Sequence, residues 1–211
     1  MASSLEDLTG LLASSLGERS EQSLTATVGV SGRHVHLSQG DLEALFGAGY
    51  ELTPIKNLSQ PGQFASKETV TLVGPKGVIG RVRVLGPVRS QTQVEILAGD
   101  SFKLGVPAMV RMSGKLEGTP GITLAGPKGT VATLGGVMVA ARHIHMSLAQ
   151  AASMGLRDGQ IVSIAFGGER GGRLDNVAIR ANDSSELDCH IDTEEANALR
   201  ISNGSVVRII K

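Results

Sequence analysis

Aromatic side chains are almost missing from this chain. Only 2% of its 211 residues are Phe, Tyr or Trp, and Trp is absent. Single-stranded nucleic acids are held by stacking on such rings, so the composition argues against that mode of binding. Net charge is missing as well. Twenty Lys and Arg balance 20 Asp and Glu, which leaves no global basic field to draw in nucleic acid or an anionic membrane. A single cysteine, Cys189, allows no internal disulfide and suits a reducing compartment. No apolar run approaches the roughly 20 residues of a membrane-spanning helix, and no secretory signal is expected. Histidine is scarce, with five in all, and that scarcity makes their placement informative.

What the chain has instead is glycine (28 residues) and a hydrophobic fraction of 41% rich in Val and Ile. The length suffices for one large domain or two small ones, each with its own core. Period-two alternation predicts short strands at 28–31, 69–73, 78–85, 88–97, 161–165, 177–180, 187–191 and 206–210. Gly74-Pro75-Lys76-Gly77 fits a type I turn, and 167–172 reads as a glycine-rich hairpin. Short helices are expected at about 42–46, 148–154 and, capped by Thr193, 194–199. Residues 57–67 read as an irregular loop. Short strands, tight turns and a few helices at their ends indicate a mainly β protein of small barrels with capping helices.

Four of the five histidines sit in one motif that occurs twice: Arg33-His34-Val35-His36-Leu37-Ser38 and Arg142-His143-Ile144-His145-Met146-Ser147. On a strand, His-x-His places both imidazoles on one face and sends Val35 or Ile144 to the other, where it can anchor a core. Ser38 precedes Asp41 by three residues and Ser147 precedes Gln150 by three. That is a helix N-cap pattern and, in the second copy, a capping box. Two imidazoles leave a divalent metal undercoordinated. His190, in another strand-like segment, can complete one set, and Glu95 is the best-placed carboxylate for the other. Three protein ligands leave a position open for substrate, the pattern of catalytic zinc, although iron or manganese would accept the same donors. Arg89, six residues before Glu95, is expected on the same strand face and so in the same cleft. A guanidinium there suits a phosphate or a carboxylate, and Lys76 and Arg83 could hold further phosphates. Cys189 alternates away from His190 and reads as core. The residues alone leave three alternatives open: a repeated structural strand with exposed histidines, a zinc metallohydrolase of a phosphate or thioester, and a non-catalytic metal-binding module.

A second repeat, Thr71-Leu72-Val73-Gly74-Pro75-Lys76-Gly77 and Thr123-Leu124-Ala125-Gly126-Pro127-Lys128-Gly129, follows the first histidine pair but precedes the second. The two sets of repeats are therefore offset, as if two similar barrels had exchanged a segment. Residues 1–20 differ from everything else: Leu5, Leu8, Leu11, Leu12 and Leu16 recur at helical spacing, giving an amphipathic segment ahead of a polar linker.

Val28-Gly-Val-Ser-Gly-Arg-His-Val-His-Leu-Ser38, Val88-Arg-Ser-Gln-Thr-Gln-Val-Glu-Ile96 and Ala141-Arg-His-Ile-His-Met-Ser147 together resemble the PduL-type phosphate acyltransferases, over about residues 27–210. The resemblance implies two small β-barrels with an exchanged N-terminal strand: 28–32 with 141–211 in one, and 33–140 in the other, with an irregular insertion at about 47–67. Residues 1–20 would be an amphipathic targeting extension and 21–27 a linker. The implied reaction interconverts acyl-CoA plus phosphate with acyl phosphate plus CoA, by direct zinc-assisted attack of phosphate on the thioester. Propanoyl-CoA is the first substrate implied and acetyl-CoA the next. Two zinc ions per chain are implied, one on His34, His36 and Glu95, the other on His143, His145 and His190, with Arg89 binding phosphate. Val30, Ser31, Gly32, Lys76, Arg83 and Asn197 match positions near CoA. The expected setting is the lumen of a bacterial microcompartment for propanediol degradation, or otherwise the cytoplasm. Shell or cargo proteins would be engaged through residues 1–20, and the enzyme would be a homo-oligomer with no nucleic-acid or membrane partner.

Overall fold

A computed structural model describes residues 24–211. The targeting extension expected at 1–20 and the first part of the expected linker lie outside the described residues. The strands are β1 (Thr25–Ser31), β2 (His34–His36), β3 (Pro54–Asn57), β4 (Phe64–Val73), β5 (Val78–Gly86), β6 (Gln93–Glu95), β7 (Val110–Arg111), β8 (Thr123–Ala125), β9 (Thr130–Ala132), β10 (Val137–Ala140), β11 (His143–Met146), β12 (Ile161–Phe166), β13 (Gly172–Ala181), β14 (Asp188–Asp192) and β15 (Val206–Ile210). Four short helices join them: α1 (Gln39–Phe46), α2 (Asp100–Leu104), α3 (Leu148–Ser153) and α4 (Thr193–Leu199).

The strands form two sheets. Six close into a barrel in the order β1-β14-β11-β13-β12-β15. Nine form a second sheet, β7-β10-β6-β2-β5-β4-β8-β9 with β3 on β4, which stays open as a half-barrel. Each sheet has its own apolar core, as the residues on its inner face require. Val35, Leu37, Leu72 and Leu124 are among those filling the half-barrel, and Ile144, Met146, Ile164 and Ile179 among those filling the closed barrel. The mainly β architecture with an exchanged N-terminal strand is therefore the one this chain adopts.

The exchange runs in both directions. β1 immediately precedes the first histidine motif yet pairs in parallel with β14 of the closed barrel, Gly29 opposite His190. β10 immediately precedes the second motif yet pairs in parallel with β6 of the half-barrel, Met138 opposite Glu95. The chain thus crosses between sheets at each Arg-His-x-His motif. Both crossings are pinned by their arginine: Arg33 Nε donates to Asp100 at 2.7 Å, and Arg142 Nε donates to Glu195. A Gly99 N–H donor to Glu194, 3.0 Å, adds a further tie between the two units.

Several local expectations are corrected. β1 begins at Thr25, which pairs with Arg208, so the strand starts inside the stretch read as linker. The irregular stretch contains a hairpin, in which Asn57 pairs with Phe64 around the Ser59-Gln60-Pro61-Gly62 turn. Pro54 is tolerated there because it opens a strand lying off the main path of the sheet. The strand expected over 88–97 shrinks to Gln93–Glu95. Pro87 cannot donate to a ladder, and the Arg89 N–H is spent on the Leu37 carbonyl instead. α4 is capped by Asp192, whose carboxylate accepts from the Glu195 N–H at 2.8 Å within a full capping box. Thr193 begins the helix, and its hydroxyl donates to the Ser31 carbonyl.

Candidate active site

The two histidine pairs are built alike. β2 lies between β5 and β6, and β11 between β13 and β14, so each motif occupies an interior strand with both edges paired. Alternation then does the rest. Val35 and Ile144 are fully buried in their cores, while His34, His36, His143 and His145 turn to the opposite face. The antiparallel partner places the third residue directly across from the first histidine: Glu95 opposite His34, and His190 opposite His143. In each set the ligand-type atoms all lie within 4.8 Å of one another. Both sets open into one cavity of about 850 Å³, to which residues of both units contribute.

The ring nitrogens are arranged for coordination. His34 Nδ1 donates to the Gly32 carbonyl at 2.9 Å, and His143 Nδ1 donates to the Ala141 carbonyl at 2.8 Å. Each Nε2 is therefore left with its lone pair. His34 Nε2 lies 3.4 Å from Glu95 Oε1, and His36 Nε2 4.0 Å from the same oxygen. His143 Nε2 faces His145 Nε2 at 3.1 Å, and the His190 ring lies 5.0 Å from both of theirs, centroid to centroid. Lone pairs that converge in this way need a proton or a cation between them.

The electrostatics favour the cation. Burial, then the neighbouring His34 and Arg89, push His36 down to about 3. Burial, then His190, push His143 down to about 4, and burial with His143 and His190 pushes His145 down to about 3. Neutral imidazoles are the form that binds metal. Burial also acts on Glu95 and would raise its carboxyl. The histidines facing it outweigh that and hold it well below the ordinary carboxylate range, so it is anionic. His34 is lowered by burial but raised more by Glu95, for a net upward shift. A cluster of two imidazoles with a carboxylate and a cluster of three imidazoles could each hold a divalent cation.

Arg89 reaches the cavity although its strand does not. Its N–H bond to Leu37 brings it beside the N-terminus of α1, and its Nη1 donates to Ser113 Oγ at 2.9 Å. Val30, Ser31, Gly32 and Arg83 also line the cavity, Arg83 being held by the Ser66 and Lys67 carbonyls. Lys76 and Asn197 do not. Both are exposed, Lys76 on its turn beside Gly105 and Asn197 on α4. Cys189 is fully buried, and burial with the nearby Asp188 and Glu195 charges pushes its thiol up to about 12. It offers no thiolate.

Sequence reasoning missed four residues here. Arg180 lines the cavity opposite His145 and makes no hydrogen bond or ion pair with its side chain to a described residue. Ser113 steadies Arg89, Gln93 steadies Glu95 at 2.6 Å, and Asp188 meets His190 Nε2 at 2.8 Å. The last two stand two residues before a candidate ligand on its strand, a spacing that period-two alternation could have flagged. Nothing local marks Arg180 or Ser113.

Comparison with known proteins is consistent along nearly the whole chain. The sequence profile of the family described as phosphate propanoyltransferase matches residues 27–202. A phosphate propanoyltransferase of Rhodopseudomonas palustris is 51% identical over 202 residues, 96% of this chain and 89% of that protein. Another, from Rhodobacter capsulatus, is 50% identical over 97% of this chain and 95% of its own length. A third, from Thermotoga maritima, is 55% identical over 87% of this chain and 88% of its own length.

Proposed function

The chain belongs to the phosphate propanoyltransferase family, and from that premise we propose that it is a phosphate acyltransferase that exchanges the CoA of a short acyl-CoA for phosphate, propanoyl-CoA first and acetyl-CoA next. The observation that carries this reading is the meeting, in one cavity, of two three-residue metal-type clusters with the guanidinium of Arg89. An anion and a thioester can be held side by side there, which a direct transfer requires.

His34, His36 and Glu95 would hold one zinc ion, and His143, His145 and His190 a second. Bound there, the two ions would supply Lewis-acid polarisation of the thioester carbonyl and stabilise a thiolate leaving group. The chain's own groups do the positioning. The Gly32 and Ala141 carbonyls fix the first ring of each motif and keep its Nε2 turned to the site. Arg89, oriented by Ser113, presents a planar fork to phosphate, and Arg180 adds positive charge from the opposite unit. Leu58, Pro61 and Leu85 give the cavity apolar wall for the acyl and pantetheine carbons. A phosphate oxygen attacks the thioester carbonyl carbon, a C–O bond forms, the C–S bond breaks, and CoA departs as the thiolate. With Cys189 buried and protonated, the acyl group has no cysteine to visit on the way.

No helix among the described residues is long and apolar enough to cross a membrane. The proposed setting is a bacterial microcompartment, entered through residues 1–20, with shell or cargo proteins as partners and a homo-oligomer as the working form. The deciding experiment is a panel of acyl-CoA thioesters assayed for thiol release with and without phosphate, with metal analysis of the same sample. Phosphate-dependent release, fastest for three- or two-carbon acyl groups, and two zinc equivalents are expected. Thiol release that ignores phosphate would overturn the proposal in favour of a hydrolase.

A further inference from the structure

The two clusters share more than their histidine pairs. Across from the second histidine of each motif stands a buried residue that grips the third member of that cluster. Opposite His36 this is Gln93, and opposite His145 it is Asp188. Gln93 is 1% exposed and its amide is fully engaged. Nε2 donates to Glu95 Oε1 at 2.6 Å and to Ser113 Oγ at 2.9 Å, while Oε1 accepts from the Gly114 N–H at 2.8 Å. A flipped amide would set oxygen against oxygen, so the orientation is fixed. Asp188 is 6% exposed, and its Oδ2 accepts from His190 Nε2 at 2.8 Å.

We infer that Gln93 and Asp188 are matched positioning residues, and that Asp188 makes His190 present Nδ1 to the closed-barrel cluster, where His34 and His143 present Nε2. Packing supports this choice of nitrogen. A Cβ placed on Gly29 would fall 2.7 Å from Asp188 Oδ2, 2.9 Å from His190 Cδ2 and 3.1 Å from His190 Nε2. The Cδ2–Nε2 edge of the ring is therefore pressed onto β1, and the Nδ1 edge is turned the other way. Only glycine leaves room for that arrangement. Carboxylate–histidine pairs of this kind fix the tautomer and raise the ligand's basicity. The two clusters then receive one carboxylate each by different routes. In the half-barrel the anion is Glu95 itself and its support is a neutral amide. In the closed barrel the third member is an imidazole and its support is the carboxylate.

This inference rests on the metal-centre reading above, so the test separates the two. Wild type, Asp188→Ala, Asp188→Asn, Gly29→Ala and Gln93→Met would be loaded with zinc and titrated with a chelator. The histidine tautomers of the metal-free proteins would be read by long-range ¹H–¹⁵N NMR. Wild type should hold two equivalents. Asp188→Ala and Gly29→Ala should release one of them about 10–100-fold more readily and keep the other, whereas Gln93→Met should loosen the other one. His190 should carry its proton on Nε2 in wild type and lose that preference in Asp188→Ala. Asp188→Asn keeps an acceptor oxygen, so it should fall between and carries the test if the alanine variant does not fold. Wild-type zinc affinity in both Asp188 variants, or a His190 proton on Nδ1 in wild type, overturns the inference. A wild-type protein that binds no zinc sinks the metal reading instead, and the tautomer data still judge the Asp188–His190 pair.

Discussion

The two His-x-His segments form a controlled comparison inside one chain. Their backbones agree closely: Ser38 and Ser147 both sit at φ −72° and ψ 159°, and each caps the following helix through its hydroxyl. Each first histidine donates Nδ1 to the carbonyl two residues earlier, and each faces the third member of its cluster across an antiparallel pair. Differences begin where the partner strand begins. β6 brings a carboxylate and β14 an imidazole. Local sequence therefore sets the frame, and distant sequence sets the chemistry placed in it. Each cluster lies within one sheet, but the strand that leads into the other motif pairs beside it, β1 on β14 and β10 on β6. The cavity exists because the sheets trade strands at these crossings.

The largest effects should come from removing the residue that differs. Glu95→Ala and His190→Ala each leave two imidazoles. Turnover should fall by more than about 100-fold in both, since even the outer partner of a ligand is worth about 10–100-fold. Bound zinc should drop by one equivalent in each, by metal analysis. Glu95→His sharpens the comparison by giving the half-barrel the other cluster's donor set. It should bind zinc and turn over poorly, because the anion that balanced the charge is gone. Full turnover after loss of either residue would break the idea that both clusters serve one reaction.

Arg89→Lys probes the cavity between the clusters. The charge stays and the fork is lost. KM for phosphate should rise about tenfold, worth ~1.4 kcal/mol, while KM for acyl-CoA changes little. Equal changes in steady-state assays would place Arg89 at neither substrate in particular.

The frame was legible in the sequence and the cavity only partly. Period-two alternation located His34, His36, His143 and His145 because strand geometry is local. Ser38 and Ser147 were legible as caps for the same reason. Arg89 was expected in the cleft through a continuous strand over 88–97. It reaches the cavity through its backbone bond to Leu37, 52 residues away in sequence. Arg180 and Ser113 gave no local signal, because a guanidinium or hydroxyl away from any motif reads as solvated until its neighbours in space are known. The half-barrel's open edges were likewise invisible, since closure depends on how many strands meet and not on what any one of them contains.

Smaller effects separate the two caps. In the second copy Gln150 returns a side-chain contact to the Ser147 N–H, 2.8 Å, as a capping box does. In the first copy that arm is replaced from afar: Thr92 Oγ1 accepts from the Ser38 N–H at 2.9 Å and donates to Asp41. Thr92 is buried, so Thr92→Ala strands polar groups and should cost about 1–3 kcal/mol. Gln150→Ala leaves its groups to water and should cost about 0.5–1 kcal/mol. For a chain of this size each kcal/mol is about 2–4 °C in Tm, which thermal unfolding resolves. Equal losses would mean that the distant hydroxyl and the local amide do the same work.

The smallest effect on chemistry is expected from the segment that precedes both histidine motifs and the first strand. Residues 1–20 repeat leucine at helical spacing, Leu5, Leu8, Leu11, Leu12 and Leu16, a pattern that as a helix would offer a stripe to the groove of a partner protein. Every residue named as a ligand or phosphate contact lies at 28 or beyond, the cavity lining starts at Thr27, and β1 starts at Thr25. Deleting residues 1–20 therefore leaves the exchanged strand and both clusters in place. Turnover in solution should be unchanged within about twofold, the scale of a few tenths of a kcal/mol. What should change is location. A reporter fused to this segment should enter microcompartments, and Leu8→Glu with Leu12→Glu should release it, because two carboxylates in the stripe cost too much to bury. Unchanged localisation of the glutamate variants would reject the targeting role. Loss of turnover on deletion would show instead that the segment packs on the catalytic units, and that the comparison between the two halves omits a shared third part.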